Sequence, residues 1–305
     1  MRCGGAGALS RLVAVARPRV LFEFVRQRGR TYSYGPDRSQ RAELHLPPGA
    51  GPHPVIIAIH GGSWRARYGR IVMRALIGDL RRRGWAVWNI EYRRVGNGGG
   101  WPATFADVAA AIDHLPELDA PLDLADVSLL GHSAGGHLAL WAAARPALPE
   151  GAPGHIDGEP RVSPRRVIAQ AGVCDLAGAY RRRNRDAVAA LMGGTPEELP
   201  ERYAVGDPAR LLPLSMPALL VHGTRDETVS VELSRDYAAA AALAAGEVEL
   251  VEIPGAAGHH RAHIDPRGEA WAAVTARLGS PAPVAVTPLP TPGPRSGPRS
   301  PLQTQ

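Results

Sequence analysis

Asp126-Val-Ser-Leu-Leu-Gly131-His132-Ser133-Ala134-Gly135-Gly136-His137-Leu-Ala-Leu-Trp-Ala-Ala-Ala144 is the stretch whose reading decides the fold. It opens on a short apolar run of the kind that forms a buried strand. From Gly136 onward it is Ala/Leu-rich and long enough for a helix. Between the two lies Gly-x-Ser-x-Gly, a serine on a strand-to-helix turn. A turn this tight leaves no room for side chains on its flanks, so Gly131 and Gly135 allow close backbone approach. The helix that begins there aims unpaired N–H groups and its positive dipole end at any negative charge developing in front of Ser133. Ser133 is therefore a candidate nucleophile. The competing reading is a Gly-rich turn that packs closely and does no chemistry.

The flanking sequence repeats the same alternation. Pro54-Val-Ile-Ile-Ala-Ile59 is a continuous apolar run, typical of a strand buried on both faces. After it come a helix at 71–83, a strand at 85–90 and a helix at 102–115. Beyond the Ser133 helix the pattern predicts strands at 166–171, 218–222 and 247–253, with helices at 231–245 and 265–278. Two earlier strands, 31–34 and 41–46, flank the turn residues Gly35-Pro-Asp-Arg-Ser39 and read as antiparallel edge strands. The expectation is an α/β fold: a doubly wound, mostly parallel sheet of about eight strands with helices on both faces. Ligands bind such sheets outside the carboxyl ends of the strands. Residues 1–29 read as an N-terminal tail with a short helix near 20–28, and 30–278 as one domain. An Arg-rich and Gly/Pro-rich insertion at 175–216 reads as lid-like, over the sheet edge. Residues 279–305 read as a disordered Pro-rich tail.

A serine hydroxyl needs a base, usually histidine, oriented by a carboxylate. On a strand–turn–helix serine the partners follow in the order serine, acid, histidine. The 218–222 strand leads into His222-Gly-Thr-Arg-Asp226, and the 247–253 strand into Pro254-Gly-Ala-Ala-Gly-His259-His260. Asp226 is the candidate acid, or else the cap of the next helix. His259 and His260 are candidate bases, or else solvent-facing imidazoles. Gly258 suits a turn that returns the imidazole of His259 toward Ser133, which favours His259; His260 keeps a different spacing to the last helix. His60-Gly61-Gly62 follows a strand and can present backbone N–H groups. Gly61 or Gly62 would then share an oxyanion hole with Ala134, each donor worth on the order of 10²–10³ in rate. Asp175 is a second candidate acid. His137 reads as a packed helix residue, and Cys174, with no base placed for it, as a buried small hydrophobe. No Gly-rich phosphate loop and no metal-ligand spacing occurs, so no metal site is expected.

Composition narrows the class. The chain has 305 residues, 45% hydrophobic and 21% charged, which describes a soluble globular protein with ample core material. Its net charge of +6 raises the question of an anionic partner, yet all 35 basic residues are arginine. They are scattered, with clusters at Arg81–Arg83 and Arg181–Arg183. That pattern reflects compositional bias more than a phosphate-binding surface, and no nucleic-acid partner is expected. Cys3 and Cys174 are too few for a disulfide framework, which points to a reduced, cytoplasmic compartment. No apolar run approaches the roughly 20 residues of a membrane span, so no membrane partner is expected. The run at 12–16, bracketed by Arg11 and Arg17, is too short for a signal peptide.

Across residues 30–278 the sequence resembles the α/β-hydrolase superfamily. His60-Gly-Gly-Ser-Trp64 resembles the HGGxW motif of its kynurenine formamidase-like and carboxylesterase-like branch. Gly131-His-Ser-Ala-Gly-Gly-His137 and Val221-His-Gly-Thr-Arg-Asp226 are similar to that branch's nucleophile and acid motifs. The resemblance implies a triad of Ser133, Asp226 and a histidine, an oxyanion hole from Gly62 and Ala134, and no cofactor. It also implies substrates among small esters, aryl formamides and plant-type acyl esters. The histidine loop departs from the family's Gly-Ala-Gly-His-Phe-Asp: Gly-Ala-Ala-Gly-His259-His260-Arg runs about two residues longer before the helix. By distance to that helix His260 matches; by the preceding glycine His259 does. Trp64, Tyr68 and Trp101 are candidates for lining an acyl or aromatic pocket, and equally for core or surface positions. The expected function is a serine hydrolase cleaving small carboxylic esters or amides through an acyl-enzyme. Alternatives are an aryl formamidase, a dipeptidyl-type peptidase, or a non-catalytic ligand-binding protein on the same fold.

Overall fold

A computed structural model describes residues 29–279; the expected 20–28 helix and both tails beyond that range lie outside the described residues. The strands are β1 (Arg30–Ser33), β2 (Arg41–His45), β3 (His53–Ile59), β4 (Ala86–Ile90), β5 (Leu122–His132), β6 (Arg166–Gln170), β7 (Ala218–Gly223) and β8 (Val248–Ile253). The helices are α1 (Arg74–Arg82), α2 (Ala103–Asp113), α3 (Ala134–Ala143), α4 (Leu176–Arg181), α5 (Arg185–Met192), α6 (Pro200–Gly206), α7 (Glu232–Leu243) and α8 (Glu269–Leu278). The strands form one sheet in the order β1-β2-β4-β3-β5-β6-β7-β8. β1, β2 and β4 pair antiparallel, and every pairing from β4 across to β8 is parallel. This is the doubly wound sheet that the strand–helix alternation predicts.

β3 is buried at every position because its two faces enter two different cores. Val55, Ile57 and Ile59 join one core with Phe105 of α2, Leu138 and Trp141 of α3 and Leu233 of α7. Ile56 and Ala58 join the other with Leu76 and Leu80 of α1 and Trp271 of α8. The alternation follows from the two-residue period of a strand, and helices therefore cover both faces. Each large apolar side chain so buried stabilises the fold by about 1.5–3 kcal/mol relative to exposure.

Two boundaries differ from the sequence reading by four residues, each for a local reason. β5 begins at Leu122, ahead of the predicted 126. It pairs His53 with Leu122 and Pro54 with Asp123, then jumps to Val55 with Val127, so 124–126 bulge out of the ladder. Asp126 sits in that bulge, which is why the apolar run begins only after it. The last helix begins at Glu269 because the chain before it coils into 3-10 turns at Gly255–Gly258 and His260–Ile264.

The insertion between β6 and β7 packs on α2 and α3. Val188, Leu191, Met192 and Tyr203 belong to the same core as those helices. Trp141 Nε1 donates to the Val205 carbonyl at 2.9 Å, and the His137 ring meets the Gly206 carbonyl at 2.9 Å. Buried Asp207 then accepts the N–H groups of Leu176 and Ala177 at 2.8 and 3.0 Å, tying the end of the insertion to its beginning. No helix among the described residues is long and apolar enough to cross a membrane.

Candidate active site

Ser133 occupies the turn between β5 and α3 with φ 58° and ψ −121°, a conformation that costs a non-glycine residue on the order of 1–3 kcal/mol. The surroundings over-determine it. Its N–H donates to the Gln170 carbonyl at 2.9 Å, and its carbonyl accepts from Gly136 at 2.9 Å and His137 at 3.2 Å. A Cβ at 131 would stand 2.0 Å from the Gly135 oxygen, and one at 135 would stand 2.0 Å from the Ile59 oxygen. Contact distance, more than flexibility, dictates both glycines. The Ser133 side chain makes no hydrogen bond among the described residues, which leaves its Oγ unengaged.

The loops after β7 and β8 bring Asp226 and His260 together, with His260 Nδ1 2.7 Å from Asp226 Oδ2. The other carboxylate oxygen of Asp226 accepts from the N–H groups of Thr228 and Val229 at 2.8 and 2.9 Å. One oxygen thus closes its own turn while the other faces the imidazole; Asp226 does not cap the next helix, α7, whose N-cap is Val231. Burial opposes charge on Asp226. The His222 and His260 rings and the backbone N–H groups outweigh burial and hold the carboxyl well below the usual range. An ionised Asp226 fixes the proton of His260 on Nδ1 and leaves the Nε2 lone pair free.

His259, which its preceding glycine favoured, is not the residue at this acid. It is exposed, in extended backbone at φ −77° and ψ 153°, and its ring has no hydrogen-bond partner among the described residues. The reason lies in Gly258. A Cβ at 223 would meet the Gly258 oxygen at 1.7 Å, so the turn presses the chain onto the end of β7. The extended step at 259 then sends that side chain outward and the next one onto Asp226. Asp175, the second candidate acid, caps α4 through the Gly178 N–H at 2.6 Å.

Three further histidines gather here. The His132 ring lies 4.7 Å from the His260 ring, and its Nε2 meets the His260 carbonyl at 3.1 Å. Burial, with the neighbouring His260 and His263, pushes His132 well below its ordinary value, so it stands as a neutral donor. His263 is fully buried, pushed down to about 3 by burial. His222 is held by Ser234 Oγ at 2.7 Å and the Val229 carbonyl at 3.0 Å. Among the described residues no group of His, Cys, Asp and Glu is arranged to hold a metal ion. Burial also pushes His137 down to about 4 and the Cys174 thiol up to about 12, which leaves both as packed residues.

Gly61 lies against the serine: a Cβ there would stand 2.9 Å from Ser133 Cβ and 2.5 Å from the His132 oxygen. The N–H groups of Gly61, Gly62 and Ala134 find no acceptor among the described residues, so all three are available to an incoming oxygen. Tyr68 reaches this loop, since a Cβ at Gly62 (φ 123°) would fall 2.3 Å from Tyr68 Cβ. Trp64 does not line an open wall. It is 1% exposed and packs edge-on against His137 at 5.3 Å, because Ser63 and Trp64, both at φ 52°, turn the loop inward. Trp101 is half-buried against Phe105 at 5.0 Å, where the insertion meets α2.

Below the loop, Glu43 on β2 accepts Arg70 and Arg74 at 3.0 and 3.2 Å and lies beside His45. Burial raises its pKa, but His45 and the two guanidiniums outweigh burial and bring it to about 2. A depressed carboxyl contributes stability that is complete above its ordinary pKa of 4.5 and is lost as pH falls toward the folded value. The melting temperature should therefore drop between about pH 5 and pH 2, and Glu43→Gln should flatten that drop. Parallel melting curves for the two proteins would contradict the assignment.

The geometry can be set beside known proteins. The sequence model of the BD-FAE family matches residues 43–240, which include the Gly61–Gly62 loop, Ser133 and Asp226 and stop short of His260. Esterase LipC of Mycobacterium tuberculosis is 28% identical over 220 residues, covering 68% of this chain and 53% of that protein. Probable carboxylic ester hydrolase LipM of the same organism is 28% identical over 212 residues, covering 65% and 46%. The chain spans about half the length of these curated relatives. A truncated carbohydrate esterase from gut microbiota superposes with a TM-score of 0.70 at 22% identity, over 83% of this chain and 96% of that one. The propionate-bound esterase Est2 of Thermogutta terrifontis gives 0.60 at 23%, over 76% and 84%. These neighbours share the α/β-hydrolase fold.

Proposed function

The chain belongs to the BD-FAE family, and on that premise we propose that it is a serine hydrolase of small carboxylic esters acting through an acyl-enzyme. The observation that carries the proposal is the pairing of an unengaged Ser133, held at φ 58°, with a His260–Asp226 pair at 2.7 Å on the loops beside it. Relatives named as esterases and as a carboxylic ester hydrolase support the bond type. The reading keeps the cytoplasmic setting that cysteine usage suggests.

In this mechanism Ser133 Oγ attacks the ester carbonyl while its proton passes to His260 Nε2. The carbonyl oxygen takes the negative charge and accepts from the N–H groups of Ala134 and Gly62, with Gly61 beside them. Such preorganised donors act where charge develops and need no reorganisation. The tetrahedral adduct collapses, the C–O bond to the alcohol breaks, and the alcohol leaves with the proton from His260. Water then repeats the sequence: His260 takes its proton, its oxygen attacks the acyl carbon, and Ser133 leaves reprotonated with release of the acid. Asp226 stays ionised throughout and stabilises the imidazolium.

A panel of p-nitrophenyl esters with two- to eight-carbon acyl chains, an N-formyl arylamine and a peptide p-nitroanilide tests the reading. The short esters should show the highest kcat/KM. A formamide hydrolysed faster than every ester would establish the aryl formamidase alternative, and a peptide anilide in first place the peptidase. Hydrolysis of none would contradict the proposal.

A further inference from the structure

The loop that carries Gly61 and Gly62 leaves β3 at His60 and rejoins the helical layer at Arg70, and both ends meet one carboxylate. Glu91, the first residue past β4, is buried. Its Oε1 lies 2.6 Å from His60 Nε2 and 2.9 Å from an Arg94 nitrogen, and its Oε2 accepts the Arg70 backbone N–H at 3.1 Å. Arg94 also donates to the Tyr68 carbonyl inside the loop. From the other side the Tyr92 ring stacks on His60 at 4.4 Å, and the Tyr92 hydroxyl donates to the His60 carbonyl at 2.7 Å. The Tyr34 hydroxyl donates to the Glu91 carbonyl and ties the β1–β2 hairpin to the same point. The span between needs such a hold. Gly62, Ser63 and Trp64 are consecutive left-handed residues, at φ 123°, 52° and 52°, and two of them are not glycine.

His60 is itself fully buried, and each of its ring nitrogens faces an acceptor: Glu91 at Nε2 and the Gly61 carbonyl, 2.7 Å away, at Nδ1. The two contacts fix the orientation of the ring between the loop and the end of β4. Burial opposes charge on Glu91, but the His60 ring and the Arg94 guanidinium outweigh burial and hold its carboxyl below the usual range.

We propose that Glu91 is the positioning residue of the oxyanion donors: it fixes the buried His60 ring, and through it the Gly61–Gly62 backbone. The proposal rests on the reading of Ser133 as the nucleophile.

Glu91→Gln keeps the shape of the side chain and removes the counter-charge. In this variant kcat on a short p-nitrophenyl ester should fall about 10- to 100-fold with KM within about twofold, as expected for donors displaced from the developing charge. If the variant fails to fold, Tyr92→Phe releases the His60 carbonyl and should give a smaller loss, again in kcat alone. A lowered melting temperature with unchanged kcat would overturn the proposal. Fluorophosphonate mapping of the wild type reads the underlying assumption separately. Label on Ser133 beside an unaffected Glu91→Gln rejects the role of Glu91 alone, and no label rejects both.

Discussion

Ser133→Ala should lower kcat on a short p-nitrophenyl ester by about 10⁵- to 10⁶-fold while the melting temperature stays within a degree or two of wild type. The size follows from what is removed. Without Oγ no acyl-enzyme forms, and the rate that remains is what the oxyanion donors and binding supply to water alone. The small effect on stability follows from the contacts. The Ser133 hydroxyl makes no hydrogen bond among the described residues, and the φ of 58° is held by backbone contacts that alanine keeps. Loss of activity together with loss of fold would leave the chemistry unassigned, which is why kcat and melting are measured on the same preparation. Turnover close to wild type would remove Ser133 from the mechanism.

The second large effect separates two adjacent residues. His260→Ala should lower kcat by about 10⁴- to 10⁶-fold, because Ser133 then has no base and the oxyanion no neighbouring imidazolium. His259→Ala should stay within about threefold, since that ring is exposed and unbonded. The contrast rests on the 2.7 Å contact between His260 Nδ1 and Asp226. Equal losses in the two histidine variants, or a larger loss at His259, would contradict the geometry.

What could be read from sequence was what local pattern controls. The apolar runs of β3 and β7, the serine between its glycines and Asp226 a few residues past a strand end all follow from periodicity and turn chemistry. The choice between His259 and His260 does not. It depends on how closely Gly258 packs against Gly223, a contact between residues 35 positions apart that no local pattern encodes. Trp64 was ambiguous for a similar reason. Its burial comes from two successive left-handed residues, and tryptophan carries no sequence sign of that conformation. A carboxylate after a strand is common, so Glu91 does not stand out in the sequence. Only the fold shows that His60, Arg70 and Arg94 converge on it. The one available signal is a charged residue ending a strand run that is apolar but for Asn89, Ala86-Val-Trp-Asn-Ile90-Glu91.

Reaction of the wild-type chain with a fluorophosphonate, followed by digestion and mass mapping, tests the central claim most directly. One modified site is expected, Ser133, labelled at a rate that collapses in His260→Ala and is retained in His259→Ala. Absence of label on Ser133, or label that survives the loss of His260, would contradict it.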